Sequence, residues 1–216
     1  DPSTVETQLL ESFLLLVLKS NQKCLTEEQD DDETTFLQLK MFAYTYIGKI
    51  LKFITKCPQI NEEISKKLHS LSEQEFSLSA ETPSFALPGV IIFWISFVIN
   101  ILNDSNSFNN ILQFICSLLN DPDKALDNKV LENLLMALPE SIESSLFKDE
   151  YLSFFVPALL EFLSLIDSAD TEMKDAVDAG IYVLTCLFQK YQDLLNNNDL
   201  INLWFNSLPL KENKDP

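Results

Sequence analysis

Histidine is the side chain best suited to proton transfer near neutral pH, and this chain of 216 residues contains one, His69. Its helix also carries Leu68 and Leu71, and no segment around it has the pattern of a turn that exposes a nucleophile. Carboxylate pairs abound among the 33 acidic residues, but no spacing distinguishes one pair from the others. We therefore expect His69 to lie at the edge of a helix without a catalytic role, and we expect no enzymatic activity.

The four cysteines are the other residues that could do chemistry. Cys24, Cys57, Cys116 and Cys186 lie far apart, and the chain has no Cys-x-x-Cys pair and no cluster of cysteine with histidine. The sequence therefore predicts neither a zinc site nor a disulfide framework. Buried free thiols in a reducing compartment are the simpler interpretation. We expect no metal, no cofactor, and a location in the cytoplasm, the nucleus or both.

A run of acidic residues near the N-terminus is the strongest local charge in the chain. Six acids occupy seven consecutive positions, namely Glu27, Glu28, Asp30, Asp31, Asp32 and Glu33. The alternating ligands and the turn glycine of an EF-hand calcium loop are missing. Such blocks are typical of solvated loops, and they also serve as interaction segments, here for a lysine- or arginine-rich peptide of a partner. Both interpretations stay open.

The overall charge favours basic proteins as partners. The formal net charge is −18, all fifteen basic residues are lysines, and the chain has three glycines and no arginine. Arginine is the usual bidentate clamp for phosphate, and glycine lets backbone amides surround one. Direct binding to nucleic acid is therefore not expected. The negative field would instead speed the encounter with basic proteins, and salt would weaken that effect.

Three lysines form one positive stripe on this acidic chain. Lys49, Lys52 and Lys56 fall at i, i+3 and i+7 of the second predicted helix. The stripe could receive the acidic run of the same molecule or an acidic partner, and each exposed pair is worth about 0–1 kcal/mol.

Apolar residues recur at helical spacing along nearly the whole chain, and alternating strand patterns are absent, so the sequence predicts an all-α fold. The nine or ten predicted helices include 3–19, 35–56, 61–71, a segment after 88 that runs to 102, 107–119, 127–138, 151–166 and 170–191, with short ones after Pro139 and Asn198. Pro157 is expected to kink or restart its helix, and Asp170 to cap the longest one.

Two of these helices have a predicted apolar stripe. In the second helix the stripe consists of Phe36, Leu39, Ala43, Tyr46, Ile50, Phe53 and Ile54. In the helix that Asp170 precedes, it consists of Met173, Val177, Ile181, Leu184, Phe188 and Tyr191. We expect both stripes to face a core.

One uncharged stretch, residues 82–103, raises the question of a membrane span. Its length could nearly cross a bilayer, but Pro83, Pro88 and Gly89 interrupt its first third and no lysine flanks it. We expect a buried core helix with Phe93, Trp94 and Phe97 inside, and no association with a membrane.

Short predicted loops join most helices, so consecutive helices should pack as antiparallel hairpins. About five hairpins of about 40 residues each correspond to HEAT or armadillo units. We expect a right-handed α-solenoid that forms a single domain over 1–216, as a fragment of a longer array, with an acidic loop at 20–34 and a polar loop at 72–88. An irregular helical bundle is the alternative.

The C-terminal third resembles a known family. The segment from Phe155 through Pro157 to Leu160 is similar to the second helix of a HEAT repeat, and the stretch from Leu203 to Glu212 resembles the W-x-x-x-L-P-L motif that closes a repeat in the importin-β (karyopherin) family. The resemblance covers about residues 151–216. It implies an acidic α-solenoid that binds basic cargo and a small GTPase during nuclear transport, and it assigns no binding residue.

The predicted function is that of a non-enzymatic helical-repeat scaffold whose acidic surface binds basic proteins or peptides. The candidate partner-binding residues are the six acids of the run and Trp204, whose indole is either a packing anchor or a binding hot spot. The alternative is a structural subunit of a nuclear or cytoplasmic multiprotein assembly.

Overall fold

The computed structural model describes residues 33–54, 86–120, 128–165 and 173–193, several single residues within 8–19 and 66–74, and residue 195. Throughout this part of the chain the regular structure is helical and no strand occurs, which confirms the all-α class. The helices are α1 (Glu33–Ile54), α2 (Leu87–Phe97), α3 (Ser105–Leu119), α4 (Asn128–Met136), α5 (Leu138–Glu143), α6 (Leu152–Leu165) and α7 (Lys174–Lys190). A π-helical segment, Val98–Leu102, continues α2, and a 3₁₀ segment, Asp149–Tyr151, leads into α6.

The chain forms two compact units, Asp1–Ile111 and Leu112–Pro216, and the boundary falls within α3. Most of the predicted loops at 20–34 and 72–88 lies outside the described residues, but residues 33, 34, 73, 74, 87 and 88 are helical.

In the first unit, α1 and α2 pack with their backbones very close together. Gly89 of α2 lies against Met41 of α1, and Gly48 of α1 lies against Ile92 of α2. Because the residue numbers rise in the same sense along both helices, α1 and α2 run parallel. Ring contact between Tyr44 and Phe93, with centroids 5.4 Å apart, extends the same contact. Leu68 and Leu71, from the helical residues between α1 and α2 in the chain, belong to this core as well.

The second unit also contains helices that run parallel to each other. The amide of Ala176, at the start of α7, donates to Oδ1 of Asn128, the first residue of α4, at 2.9 Å. At the other end, Lys190 of α7 donates to the carbonyl oxygen of Ile142 in α5. The α4–α5 segment therefore runs parallel to α7.

Helix α6 runs in the opposite direction beside α7. Gly180 of α7 faces Leu163, near the end of α6. Tyr191, just past the end of α7, lies with its ring 5.7 Å from that of Phe147, which precedes α6. The two helices are therefore an antiparallel hairpin.

The uncharged stretch forms the most buried helix, as predicted. Every residue of α2 except Ile92 is buried, including Phe93, Trp94 and Phe97. In the described parts of the chain, no helix combines the length and the apolar character needed to cross a membrane.

The stripe predicted for α1 is only partly correct, since Ala43 is buried and Ile50 packs half-buried against the core. Two other members of the stripe, Leu39 and Tyr46, are exposed. The fully buried residues Tyr44, Ile47 and Leu51 are not in the stripe. The buried face is rotated by about a quarter turn from the predicted one. The reason is that α1 carries apolar residues on two faces, and the glycine contacts with α2 select the face that can approach another backbone closely.

The stripe predicted for α7 is shifted in a similar way. Ile181, Leu184 and Tyr191 are buried, but Met173, Val177 and Phe188 are only half-buried. The fully packed face instead includes small residues, namely Ala176, Ala179 and Gly180. Small side chains allow α7 to approach its neighbours closely, and a pattern of large apolar residues does not reveal them. Asp170, the predicted cap, lies outside the described residues.

Pro157 does not restart its helix. It lies inside α6, which continues from Leu152 to Leu165. A proline removes the hydrogen bond to the carbonyl four residues earlier, here that of Ser153. Both residues are exposed, so solvent can serve that carbonyl.

Two adjacent residues form the junction between the π-helical segment and α3: Asn103 ends the π-helical segment, and Asp104 caps the start of α3. The amide of Asn103 donates to the carbonyl of Val98 at 2.7 Å, and Asn103 adopts the left-handed conformation with φ 49°. Asp104 then accepts a hydrogen bond at Oδ2 from the amide of Ser107 at 2.8 Å. Hydrogen bonds from Ser107, first that of its side chain and then that of its amide, lower the pKa of Asp104 below its ordinary value of 3.8.

The cap at Asp104 predicts a pH-dependent contribution to stability. A carboxylate whose pKa is lowered by folding stabilises the fold above the unfolded-state pKa, and this contribution is lost as pH falls through the folded-state pKa. Asp104→Ala should therefore be less stable than the parent at neutral pH, and the difference should shrink in acid. Asp104→Asn keeps a neutral cap and should lose less stability. Urea unfolding followed by circular dichroism from pH 7 to about pH 2.5 measures this, and a difference between parent and Ala variant that does not change with pH would contradict it.

The backbone contact at Gly89 predicts a large cost for a single methyl group. A Cβ atom there would overlap the carbonyl oxygen of Met41 and lie 2.8 Å from its Cα, so α1 and α2 must separate. We expect Gly89→Ala to lower the free energy of unfolding by about 2 kcal/mol or more. Gly180→Ala is the control, because its Cβ would meet side-chain atoms and no backbone, at 3.0 Å for Leu163 and 3.4 Å for Phe162, and alanine favours a helix interior by about 1 kcal/mol. Equal losses in the two variants, measured by urea unfolding, would refute the close backbone contact.

Candidate protein-binding surface

Most of the residues proposed from the sequence as partner-binding lie outside the described residues. These are Glu27, Glu28, Asp30, Asp31, Asp32 and Trp204. The last acid of the run, Glu33, is the first residue of α1. The acidic run therefore leads directly into the N-terminal end of this helix. An acidic residue in the first turn is favourable there, because the helix dipole is positive at that end.

The described surface of α1 carries three large apolar side chains that face solvent. Leu39, Phe42 and Tyr46 are 48%, 53% and 52% exposed. Their spacing of i, i+3 and i+7 places them on one face of the helix, over about 10 Å of its length. We refer to Leu39, Phe42 and Tyr46 as the outward row.

The outward row is held in place by the packing of the other side of α1. Ala43, Tyr44, Ile47 and Leu51 are buried in the core of the first unit, and Gly48 lies 3.1–3.2 Å, measured from an ideal Cβ position, from atoms of α2. These contacts fix the rotation of the helix about its axis. The outward row is therefore presented by a rigid element, which favours a binding role over incidental exposure.

A lysine borders the outward row at its C-terminal end. Lys49 is exposed, and its Nζ lies 5.8 Å from the centroid of the Tyr46 ring, within range of a cation–π interaction. Of the other two lysines in the predicted stripe, Lys52 lies in α1 and Lys56 lies outside the described residues. Along α1, Glu33 precedes the outward row, Lys40 lies between Leu39 and Phe42 in the chain, and Lys49 and Lys52 follow.

The sequence pattern concealed the outward row. Leu39 and Tyr46 matched the apolar stripe and were therefore predicted to lie in the core, and Phe42 was left out of that stripe. The available signal was that apolar residues cover two faces of α1, since a helix that is apolar around most of its circumference needs partners on both sides. Periodicity indicates that two such faces exist, but not which of them the rest of the chain covers.

Exposed apolar residues elsewhere are less organised. Leu9, Leu15 and Leu16 are exposed on helical residues near the N-terminus. Met136 at the end of α4 and Tyr182 in α7 are 52% and 49% exposed, each without a second large apolar residue exposed on its own helix.

A second cluster, around Lys190, has a structural role. Its ammonium group lies 5.3 Å from the ring of Tyr191 and 5.9 Å from that of Phe147, and it donates to the carbonyl of Ser144 at 3.2 Å. Tyr191 donates its hydroxyl to the carbonyl of Phe147 at 3.1 Å. These bonds attach the end of α7 to the loop that follows α5, where the carbonyl of Ser144 also accepts from the amide of Phe147.

Neither of the two described cysteines is an activated nucleophile. Burial raises the pKa of Cys116 to about 12, and burial also raises the pKa of Cys186, so both thiols stay protonated at neutral pH. His69 is half-buried, with Nε2 3.5 Å from Oε1 of Glu73 and its ring stacked on that of Phe97. Among the described residues, no group of three histidine, cysteine, aspartate or glutamate side chains could hold a metal ion.

No protein-family model, no curated protein and no solved structure matches the chain. The likeness of residues 151–216 to importin-β repeats therefore stays a prediction from the sequence.

The exposure of the outward row predicts that two phenylalanines of the first unit differ sharply in their contribution to stability. Phe42→Ala should change the free energy of unfolding by no more than about 0.5 kcal/mol, because its ring contacts solvent. Phe93→Ala should cost about 3–5 kcal/mol, because that side chain is fully buried. Urea unfolding of the two variants measures both values. A comparable loss in Phe42→Ala would show that another part of the chain covers the row.

Proposed function

We propose that this chain is a non-enzymatic helical-repeat scaffold that binds other proteins through an acidic surface. The observation that carries the proposal is the outward row on α1. Helix α1 begins at Glu33, which is also the last residue of the acidic run. Apolar side chains provide the free energy of association, and charges determine which partners are attracted. Large aromatic side chains such as Phe42 and Tyr46, held on a rigid helix, are suited to this role.

The packing within each unit supports an array of helix hairpins. Each unit contains a parallel pair, namely α1 with α2 in the first unit and the α4–α5 segment with α7 in the second. An antiparallel helix, α6, lies between the parallel pair of the second unit along the chain. Stacked hairpins of the HEAT or armadillo type also contain parallel helices with an antiparallel helix between them in the chain. We therefore propose a right-handed α-solenoid. An irregular helical bundle is the alternative.

Basic proteins or peptides are the proposed partners. The net charge of −18 attracts them over distances up to about 8 Å, the Debye length at physiological salt. Any guanidinium group in such a contact belongs to the partner, since this chain contains no arginine. The partner-binding residues we propose are the six acids of the run, with Trp204 as a candidate hot spot.

Nuclear transport is the specific role that the importin-β resemblance favours. A receptor of that type would bind basic cargo and a small GTPase and would move between cytoplasm and nucleus. The acidic charge of the chain agrees with such a role. The label rests on the resemblance alone, because the matching residues are structural ones.

The second candidate is a structural subunit of a nuclear or cytoplasmic multiprotein assembly. Leu9, Leu15 and Leu16 favour it, because exposed leucines at three helical positions near one another in the chain are typical of a surface that another chain covers permanently. Light scattering distinguishes the two functions. An isolated subunit would form heterogeneous aggregates, whereas a receptor would stay dispersed until a basic partner is added.

The acidic run predicts salt-dependent binding of basic peptides. We expect an arginine-rich peptide to bind the chain with an affinity that falls steeply from low to physiological salt. The triple variant Asp30→Asn, Asp31→Asn, Asp32→Asn should weaken this binding about tenfold, at about 0.5 kcal/mol for each lost pair. The measurement is isothermal titration calorimetry at several salt concentrations.

The control removes the same three charges elsewhere. Glu140→Gln, Glu143→Gln and Asp149→Asn change exposed acids of the second unit and should weaken binding much less. An equal loss in the two triple variants would assign the attraction to net charge alone. Binding that is absent in the parent, or that does not respond to salt, would rule out the proposed acidic surface.

A further inference from the structure

We propose that the second unit contains a lysine-binding site, which Lys190 of the same chain occupies and which a lysine side chain of a basic partner takes over. The site consists of the carbonyl oxygens of Ile142 and Ser144 and the rings of Phe147 and Tyr191. The inference rests on the proposed binding of basic proteins, because such a partner supplies the lysine. It goes beyond that proposal by naming the group that is recognised and the contact that competes with it.

The groups around the Lys190 side chain are those that recognise a cation. An ammonium group has three hydrogen-bond donors and no acceptor. Here it donates to the carbonyl of Ile142 and, at 3.2 Å, to that of Ser144. The ring centroids of Tyr191 and Phe147 lie 5.3 Å and 5.9 Å from Nζ, within the range of cation–π interactions. The ligand class of the site is therefore a primary ammonium group.

The carbonyl of Ile142 requires a donor. Ile142 is fully buried, so its carbonyl has no access to water. In a longer helix this carbonyl would accept from the amide of Leu146, but that amide donates to Oγ of Ser144 at 3.1 Å. A buried acceptor without a donor costs free energy. The site therefore still favours a donating occupant when Lys190 is removed.

The site is shaped by contacts that do not involve Lys190. The hydroxyl of Tyr191 donates to the carbonyl of Phe147 at 3.1 Å, which fixes the two rings relative to each other. The ring of Phe147 packs edge-on against those of Tyr151 and Phe155, with centroids 5.8 Å and 6.0 Å away. Phe155 is itself fully buried. We therefore expect the site to keep its shape when the Lys190 side chain leaves.

The position of Lys190 allows exchange with another lysine. It is the last residue of α7 and is exposed, although Phe147 and Tyr191 are buried. Its flexible four-carbon stem lets the ammonium group leave without movement of the helix. A partner's lysine can then enter from solvent along the same path. While Lys190 occupies the site, it competes with the partner, so the contact is autoinhibitory.

Replacement of the Lys190 side chain by a small ion tests the site without any partner. Lys190→Ala removes three carbons and the ammonium group, which are the atoms of n-propylammonium. The variant should unfold at a temperature about 2–6 °C below that of the parent, because a buried carbonyl loses its donor. Added n-propylammonium should restore this temperature with a saturating dependence, half-maximal at about 1–10 mM. Differential scanning fluorimetry measures both effects.

The controls separate a specific site from a general effect of the ion. The uncharged n-propanol should not restore the unfolding temperature of Lys190→Ala, and the parent should show no saturating response to n-propylammonium. Lys174→Ala is the matched variant, because Lys174 is an exposed lysine at the other end of α7 and its loss changes the net charge equally. It should show no saturating response either.

Binding of a peptide made of lysine and glycine tests the exchange with a partner. Because Lys190 leaves the site free for only part of the time, Lys190→Ala should bind the peptide at least about threefold more tightly than the parent. Lys190→Gln keeps a neutral donor and is the milder change for folding. It should also bind more tightly, since an amide gains no cation–π energy. Isothermal titration calorimetry measures the affinities, and circular dichroism verifies that the variants are folded.

Three results would overturn the proposal, each for a different reason. If n-propylammonium has no saturating effect on Lys190→Ala, the contact is structural and closes without its lysine. If Lys190→Ala and Lys174→Ala gain equally in peptide affinity, the gain belongs to the net charge. If no variant binds the peptide although n-propylammonium restores Lys190→Ala, the basic partner is refuted while the ammonium site itself is present.

Discussion

The close contact between the backbones of α1 and α2 is the constraint on which the first unit and its candidate surface depend. Helices normally approach to about 8–10 Å, with the separation set by the side chains at the contact. Gly89 has no side chain to separate α2 from Met41, and Gly48 plays the same part on α1. This contact determines which face of α1 is buried. It therefore also determines that Leu39, Phe42 and Tyr46 face outward.

A comparable use of small residues holds the second unit together. Ala176, Ala179 and Gly180 lie on the packed face of α7, and Lys190 donates hydrogen bonds to the carbonyl groups of Ile142, in α5, and Ser144, just after it. The C-terminal end of α7 is thus held by the hydrogen bonds of Lys190, whose side chain is partly exposed to solvent. The middle of α7 is held by close packing of its small residues. Both units consequently hold a parallel pair of helices together through close backbone contacts or hydrogen bonds as well as through large apolar side chains.

The sequence was informative where a single property decided the outcome. The lack of charge over 82–103 predicted the buried helix α2, with Phe93, Trp94 and Phe97 in the core, because nothing polar competes for the interior. The helical spacing of apolar residues likewise predicted the all-α class, because alternating strand patterns do not compete with it. The sequence was misleading for α1, where two apolar faces compete and the choice depends on contacts with α2 that lie about 45 residues further along the chain. Phe42 could not be assigned to a surface until those contacts were known.

The candidate surface combines two effects that act over different distances. The net charge of −18 acts on an approaching molecule from about one Debye length away, whereas the outward row acts only at contact. The net charge therefore governs which molecules arrive, and the apolar side chains of the outward row add free energy of association only for a molecule that reaches contact.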